Sequence, residues 1–159
     1  MQDAQVSTGL TLEELYRKDG QTLWRALAAY TALPEVASDS LAEAYAQALR
    51  RGDALSSPSA WIWRTAFRIA AGEMKRIRTE VAGSVETVGA APPEPLQDLV
   101  DALKAISPNQ RLAVILHDYA DKPISEVCEV MGIARATAYV HLSHGRRRLR
   151  DLVKEDDDA

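Results

Sequence analysis

The stretch ISEVCEVMGIARATAYVHLSHGRRRLR, residues 124–150, decides the fold. Ile124, Val127, Cys128 and Met131 recur at helical spacing and stop at Gly132, a residue that turns a chain through the left-handed region without steric cost. A new helix starts near Ala134 or Arg135, and in it Ala138, Leu142, Gly145, Leu149 and Leu152 alternate at four and three residues, so they share an inward face. Two short helices hinged on a glycine make a helix-turn-helix. The outward face then carries Arg135, Ala136, Tyr139, Val140, Ser143, Arg146, Arg147 and Arg150, flanked by Thr137 and His141. No acid falls between residues 135 and 150. Arginines and hydroxyls on such a face reach phosphates and base edges of a major groove, whereas a purely structural three-helix unit has no need of uncompensated arginines.

Upstream, SPNQ supplies a capping box, with Ser107 at the N-cap, Pro108 at the first helical position and Gln110 reaching back, and it predicts a helix over about 108–119. Leu96, Leu99, Val100, Leu103 and Ile106 form an amphipathic helix before it. Residues 79–95, TEVAGSVETVGAAPPEP, combine Gly, Ser, Pro and Glu without helical periodicity and read as a flexible linker. On its other side the pattern is again helical. Leu12, Leu15, Tyr16, Leu23, Leu27 and Tyr30 recur at helical spacing, with Gly20 a candidate break into two pieces. After Pro34, Ala37, Leu41, Ala44, Tyr45 and Ala48 form an apolar stripe, while Asp39, Glu43 and Gln47 occupy a separate polar face. Ser57 and Pro58 start a further helix over about 59–76. Most of its circumference is apolar, but Arg64, Arg68 and Lys75 form a basic edge beside Trp61 and Trp63. Cations mixed with flat rings suit an unstacked single strand, and buried core rings are the plainer use of two tryptophans. The fold class is all-α: two small helical domains joined by a flexible linker.

Charge separates by segment. The net charge is −4, yet residues 64–78 hold Arg64, Arg68, Lys75, Arg76 and Arg78 against Glu73 alone, and residues 135–150 are purely basic before the tail DLVKEDDDA turns acidic. Either basic block alone could be a solvated helix face, and the tail a solubilising end or a screen over the basic helix. A lone cysteine, Cys128, forms no intramolecular disulfide, and His117, His141 and His144 make no metal-ligand pattern. No nucleophile–base pair or glycine-rich phosphate loop appears, so an enzyme and a cofactor are both unsupported. MQDAQVSTGL has neither a basic start nor an apolar run, and no stretch is apolar enough to insert in a membrane, which predicts a cytoplasmic protein.

The pairing of ASDSLAEAYAQAL and SAWIWRTAFRIAAGEMKR with the later SPNQRLAVILHDYADKPISEVCEVMGIARATAYVHLSHGRRRLR resembles the two-domain plan of extracytoplasmic-function (ECF) sigma factors, the group IV branch of the sigma-70 family. The resemblance implies a region 2 helical bundle over 1–78, the linker 79–95, a region 4 helix-turn-helix over 96–153 and an acidic tail over 154–159. It implies that Asp39, Leu41, Glu43, Tyr45 and Gln47 grip core RNA polymerase at the β′ clamp helices, and that region 4 also meets the β flap. It places minus-ten recognition and strand melting on Asp53, Ser56, Ser57, Trp61, Trp63, Arg64, Arg68 and Lys75. Minus-thirty-five duplex binding falls to Arg135, Ala136, Thr137, Tyr139, Val140, His141, Ser143, Arg146 and Arg147. An anti-sigma protein is a further candidate partner. The chain departs from the family pattern at Ala42, Arg68, Gly72, Ala134, Tyr139 and His141, where polymerase-binding, strand-melting and recognition helices usually carry other polar residues. A stand-alone helix-turn-helix regulator, dimeric on palindromic DNA, is the alternative.

Overall fold

The computed structural model describes residues 11–81 and 94–158, and every element among them is helical. The first, α1 (Leu12–Thr31), is capped by Thr11, whose side chain accepts from the Glu14 N–H while the Glu14 carboxylate accepts from the Thr11 N–H. Gly20 does not break it. The glycine is buried in mid-helix, and a Cβ there would meet the Tyr16 ring only at an ordinary 3.5 Å contact. The helix ends at Thr31, whose hydroxyl donates to Leu27 O and accepts from the Leu33 N–H.

Helix α2 (Pro34–Arg51) follows, then a single 3-10 turn (Gly52–Ala54) and α3 (Pro58–Val81). These pack as a three-helix bundle around Leu23, Leu27, Ala37, Ala44, Ile62 and Ala66, all at most 1% exposed. Two indoles fasten the bundle with polar edges: Trp24 Nε1–H donates to Ser38 Oγ at 2.9 Å, and Trp63 Nε1–H to Asp19 Oδ2 at 2.6 Å.

The second unit begins with α4 (Glu94–Lys104), which admits Pro95 because its first turn needs no backbone donor there. Helix α5 (Pro108–Val114) starts at the Ser107–Gln110 capping box and runs on as one turn of π-helix (Ile115–Tyr119). Helix α6 (Ile124–Met131) closes at Gly132, which lies in the left-handed region at φ 66° and donates to Cys128 O. Helix α7 (Arg135–Asp158) completes the helix-turn-helix and carries the acidic residues onward along the same axis.

Gly145 sets how closely α5 and α7 approach, since a Cβ there would fall 2.9 Å from Val114 Cγ2 and 3.4 Å from Gln110 Cβ. Gly145→Ala should therefore destabilise the fold by about 1–3 kcal/mol through overpacking. Adding Val114→Ala should return part of that loss in a denaturant titration; strictly additive losses would remove the contact as the cause.

The two units do not stand apart. One continuous apolar cluster runs from Leu15 through Trp63 and Phe67 to Leu116 and Leu142. Arg111 on α5 crosses the seam, its guanidinium donating to Leu103 O, Ile106 O and, on α1, Tyr30 O at 3.0 Å. Burial lowers the Arg111 pKa and raises that of Tyr30, whose ring faces the guanidinium.

Candidate nucleic-acid interface

The face of α7 follows from its inward residues. Ala138, Leu142 and Gly145 are buried, so Arg135, Ala136, Thr137, Tyr139, Val140, Ser143, Arg146 and Arg147 are exposed, with His141 partly covered. Tyr139 and Val140 stand about half-exposed, an apolar patch among cations. Ala134 offers no capping oxygen, and its carbonyl accepts the first helical bond, from the Ala138 N–H at 3.0 Å. One arginine differs from the rest. Arg146 is clamped by Asp118 on the π turn, Nε to Oδ2 at 2.8 Å and Nη2 to Oδ1 at 2.5 Å, which raises its pKa and fixes the fork against its own unit. Arg135 and Arg147 have no such acid among the described residues.

The α3 set divides. Arg68, Lys75, Ser56 and Ser57 are exposed. Trp61 is half-buried with the Arg51 guanidinium 5.2 Å over its ring. Trp63 is fully buried, stacked on Phe67 and covered by Lys122 Nζ at 4.1 Å, so it presents no open ring face here; the plainer use as a core residue is the one this arrangement shows. Arg64 is half-buried, and its Nε is enclosed without a hydrogen-bond partner. The Asp53 side chain lies outside the described residues.

On α2, Asp39 and Glu43 are exposed and Gln47 half-exposed, whereas Leu41 and Tyr45 are buried in the bundle at 7% and 8%. Glu43 accepts from Gln47 Nε2 at 3.0 Å and Arg50 Nη2 at 3.1 Å, and those bonds lower its pKa. Burial, with the negative charge of Asp19 second, pushes the Tyr45 hydroxyl up to about 12, and that hydroxyl has no partner. Leu41 and Tyr45 thus support the helix from beneath, and the outer surface belongs to Asp39, Glu43 and Gln47. A shallow groove between α2 and α3 gathers Asp39 and Glu43 with Val36, Ala46, Ile69 and Glu73. Sequence reasoning missed Glu73, which only the packing of α3 beside α2 brings to this acidic groove, and missed Asp118, which lies 28 positions from Arg146.

Residues 96–149 match the family model described as Sigma-70, region 4. The fold of almost the whole chain recurs in solved sigma factors. The sigma factor RpoE from Bartonella quintana, solved with the anti-sigma factor NepR, superposes with a TM-score of 0.76 at 23% identity, over 97% of this chain and 98% of that one. CnrH, solved with the cytosolic domain of CnrY, gives 0.71 at 17% identity over 96% and 95%. The extracytoplasmic-function sigma factor SigJ of Mycobacterium tuberculosis gives 0.61 at 22% identity over 84% of this chain and 51% of that one. Residues 96–149 thus match a sigma-70 region 4, and the chain as a whole shares the fold of solved sigma factors. No curated protein sequence matches it. The helix-turn-helix read at 124–150 falls within the matched stretch up to residue 149, and the all-α architecture is that of the solved sigma factors RpoE and SigJ. Among the described residues no helix is long and apolar enough to cross a membrane.

Proposed function

We propose that this chain is an ECF-type sigma factor that binds core RNA polymerase, carries it to particular promoters and performs no chemistry itself. The observation that supports this best is the exposed, arginine-bearing face of α7 inside a stretch matching region 4, on a chain that shares the fold of a solved sigma factor over 97% of its length. In this reading residues 1–78 are region 2, 79–95 the connection and 96–153 region 4. Asp39, Glu43 and Gln47, with Leu41 and Tyr45 beneath them, meet the β′ clamp helices. Exposed Arg68 and Lys75, with the 53–57 turn, Trp61, Trp63 and Arg64, serve the minus-ten element; Arg135 to Arg147 read the minus-thirty-five duplex, and region 4 rests on the β flap. Work on polymerase and promoter puts the protein in the cytoplasm. The sigma factor RpoE was solved with the anti-sigma factor NepR, and CnrH with the cytosolic domain of CnrY; this chain is proposed to have an anti-sigma partner of its own.

The test is reconstitution. Purified chain added to core polymerase should co-purify with it one to one and switch on transcription from a subset of promoters in its own genome, while the chain alone should bind the same DNA weakly. A symmetric dimer that binds palindromic DNA tightly without polymerase would establish the stand-alone regulator instead.

A further inference from the structure

The seam between the two units differs in kind from their interiors. Each interior is apolar: Leu23, Leu27 and Ile62 on one side, Leu116, Val127 and Leu142 on the other. The seam instead buries or half-buries three cations, Lys122, Arg111 and Arg64, and it contains a cleft of about 300 Å³ between α3 (Arg64, Phe67, Arg68) and α5–α6 (Asn109, Leu112, Met131). Into this seam the Arg64 Nε is enclosed with no partner. An enclosed donor without a bond and a gap between facing helices weaken a contact, and a chain that needed the units permanently joined would gain by filling both.

Yet one point of the seam is built with care. Lys122, on the loop before α6, is fixed by its own backbone, its N–H donating to Leu116 O at 2.9 Å and its carbonyl meeting His117 Nδ1 at 2.8 Å. Its side chain is only 13% exposed. The ammonium sits 4.1 Å from the centre of the Trp63 ring, 4.0 Å from Asp19 Oδ2 and 3.6 Å from Glu126 Oε1. Asp19 in turn accepts the Trp63 indole N–H. The ring that sequence reasoning offered to an unpaired base is therefore already engaged by Phe67, by a cation from region 4 and, at its indole N–H, by a carboxylate.

We propose that Lys122, seated on Trp63 and Asp19, is an intramolecular latch by which region 4 covers the Trp63–Arg64 part of α3 in the free chain, and that the latch opens when the chain engages polymerase and promoter. This rests on α3 being the minus-ten helix, as in the function proposed above. The lysine suits the task because a cation against an indole face and two carboxylates gives an orientation-dependent contact that water and salt replace once the units part. Opening also frees Arg64 from its unpartnered site.

Small-angle X-ray scattering on the full chain tests the latch without polymerase, so the latch and the sigma-factor reading fail separately. The free chain should scatter as a single compact body, with a radius of gyration of about 15 Å for this length. Lys122→Glu sets a third carboxylate between Asp19 and Glu126 and should raise the radius of gyration at unchanged far-UV helix content. With the open state at about 10% in the parent chain, the same variant should reach half-saturation of core polymerase at about tenfold lower concentration. Should Lys122→Glu lose helix content, Lys122→Gln decides, because it keeps the stem and the main-chain bonds and should shift both readouts in the same direction by less. A parent chain already expanded in solution, or folded variants as compact as the parent, overturns the latch.

Discussion

Replacing Asp39 and Glu43 together by lysine should reduce binding of the chain to core polymerase by about a hundredfold or more, with its helix content and melting temperature unchanged. Both side chains stand on the exposed face of α2, and their neighbours in the groove add a third acid, Glu73. A surface that docks there is complementary to negative charge, so reversing two charges turns attraction into repulsion at the centre of the contact. Folding should not notice. Glu43 bonds only to Gln47 and Arg50, and all three lie on the outside of the helix, where substitutions rarely matter for stability. Glu13→Lys, another exposed acid paired with an arginine but on the first turn of α1 and outside the groove, is the matched control and should leave binding intact. Undiminished co-purification of the double variant with polymerase would end the assignment of this groove.

What was legible in the sequence is what local chemistry dictates. The helix-turn-helix could be read because its signals are short-range: a glycine at the left-handed turn, a capping box four residues long, an apolar face repeating at three and four. Helix ends are less exact: the periodicity stops at about 76 where α3 runs on to Val81, and α4 starts at Glu94, ahead of Leu96. What escaped depends on partners far along the chain. Gly20 looked like a break because an isolated glycine weakens a helix, and its burial within the packed bundle is what the local pattern does not carry. Arg111 gives no sign in sequence of being anything but a surface arginine, yet it joins two units through three carbonyls. The pair Asp118–Arg146 and the pair Lys122–Trp63 are likewise contacts between elements, and no periodicity encodes them. The same limit applies to the site. Which residues face outward on α7 follows from its period, but which arginines remain free to meet DNA does not.

That last distinction changes which substitutions separate the two DNA surfaces. Arg64 lies in the seam and Arg146 is clamped on Asp118, so losing either mixes a structural effect with a DNA effect. Arg68 with Lys75 on α3, and Arg135 with Arg147 on α7, are exposed and make no ion pair among the described residues, Arg68 standing at the rim of the seam cleft with its side chain open to solvent. Arg68→Ala with Lys75→Ala should let polymerase form a closed promoter complex but reduce permanganate-reactive thymines in the opened region, and a template with a pre-melted bubble should restore much of the loss. Arg135→Ala with Arg147→Ala should weaken the closed complex itself. If both contact phosphates, the slope of log affinity against log salt should flatten by about 2. If either reads a base edge, about 1–3 kcal/mol of discrimination at that position goes with it. No bubble should rescue that variant, because duplex docking at the upstream element precedes melting and the bubble supplies only what melting would. Equal loss of the closed complex in both pairs, with no bubble rescue of the first, would mean that α3 and α7 do not divide single-strand and duplex work between them, and a single duplex-binding surface would be the better account.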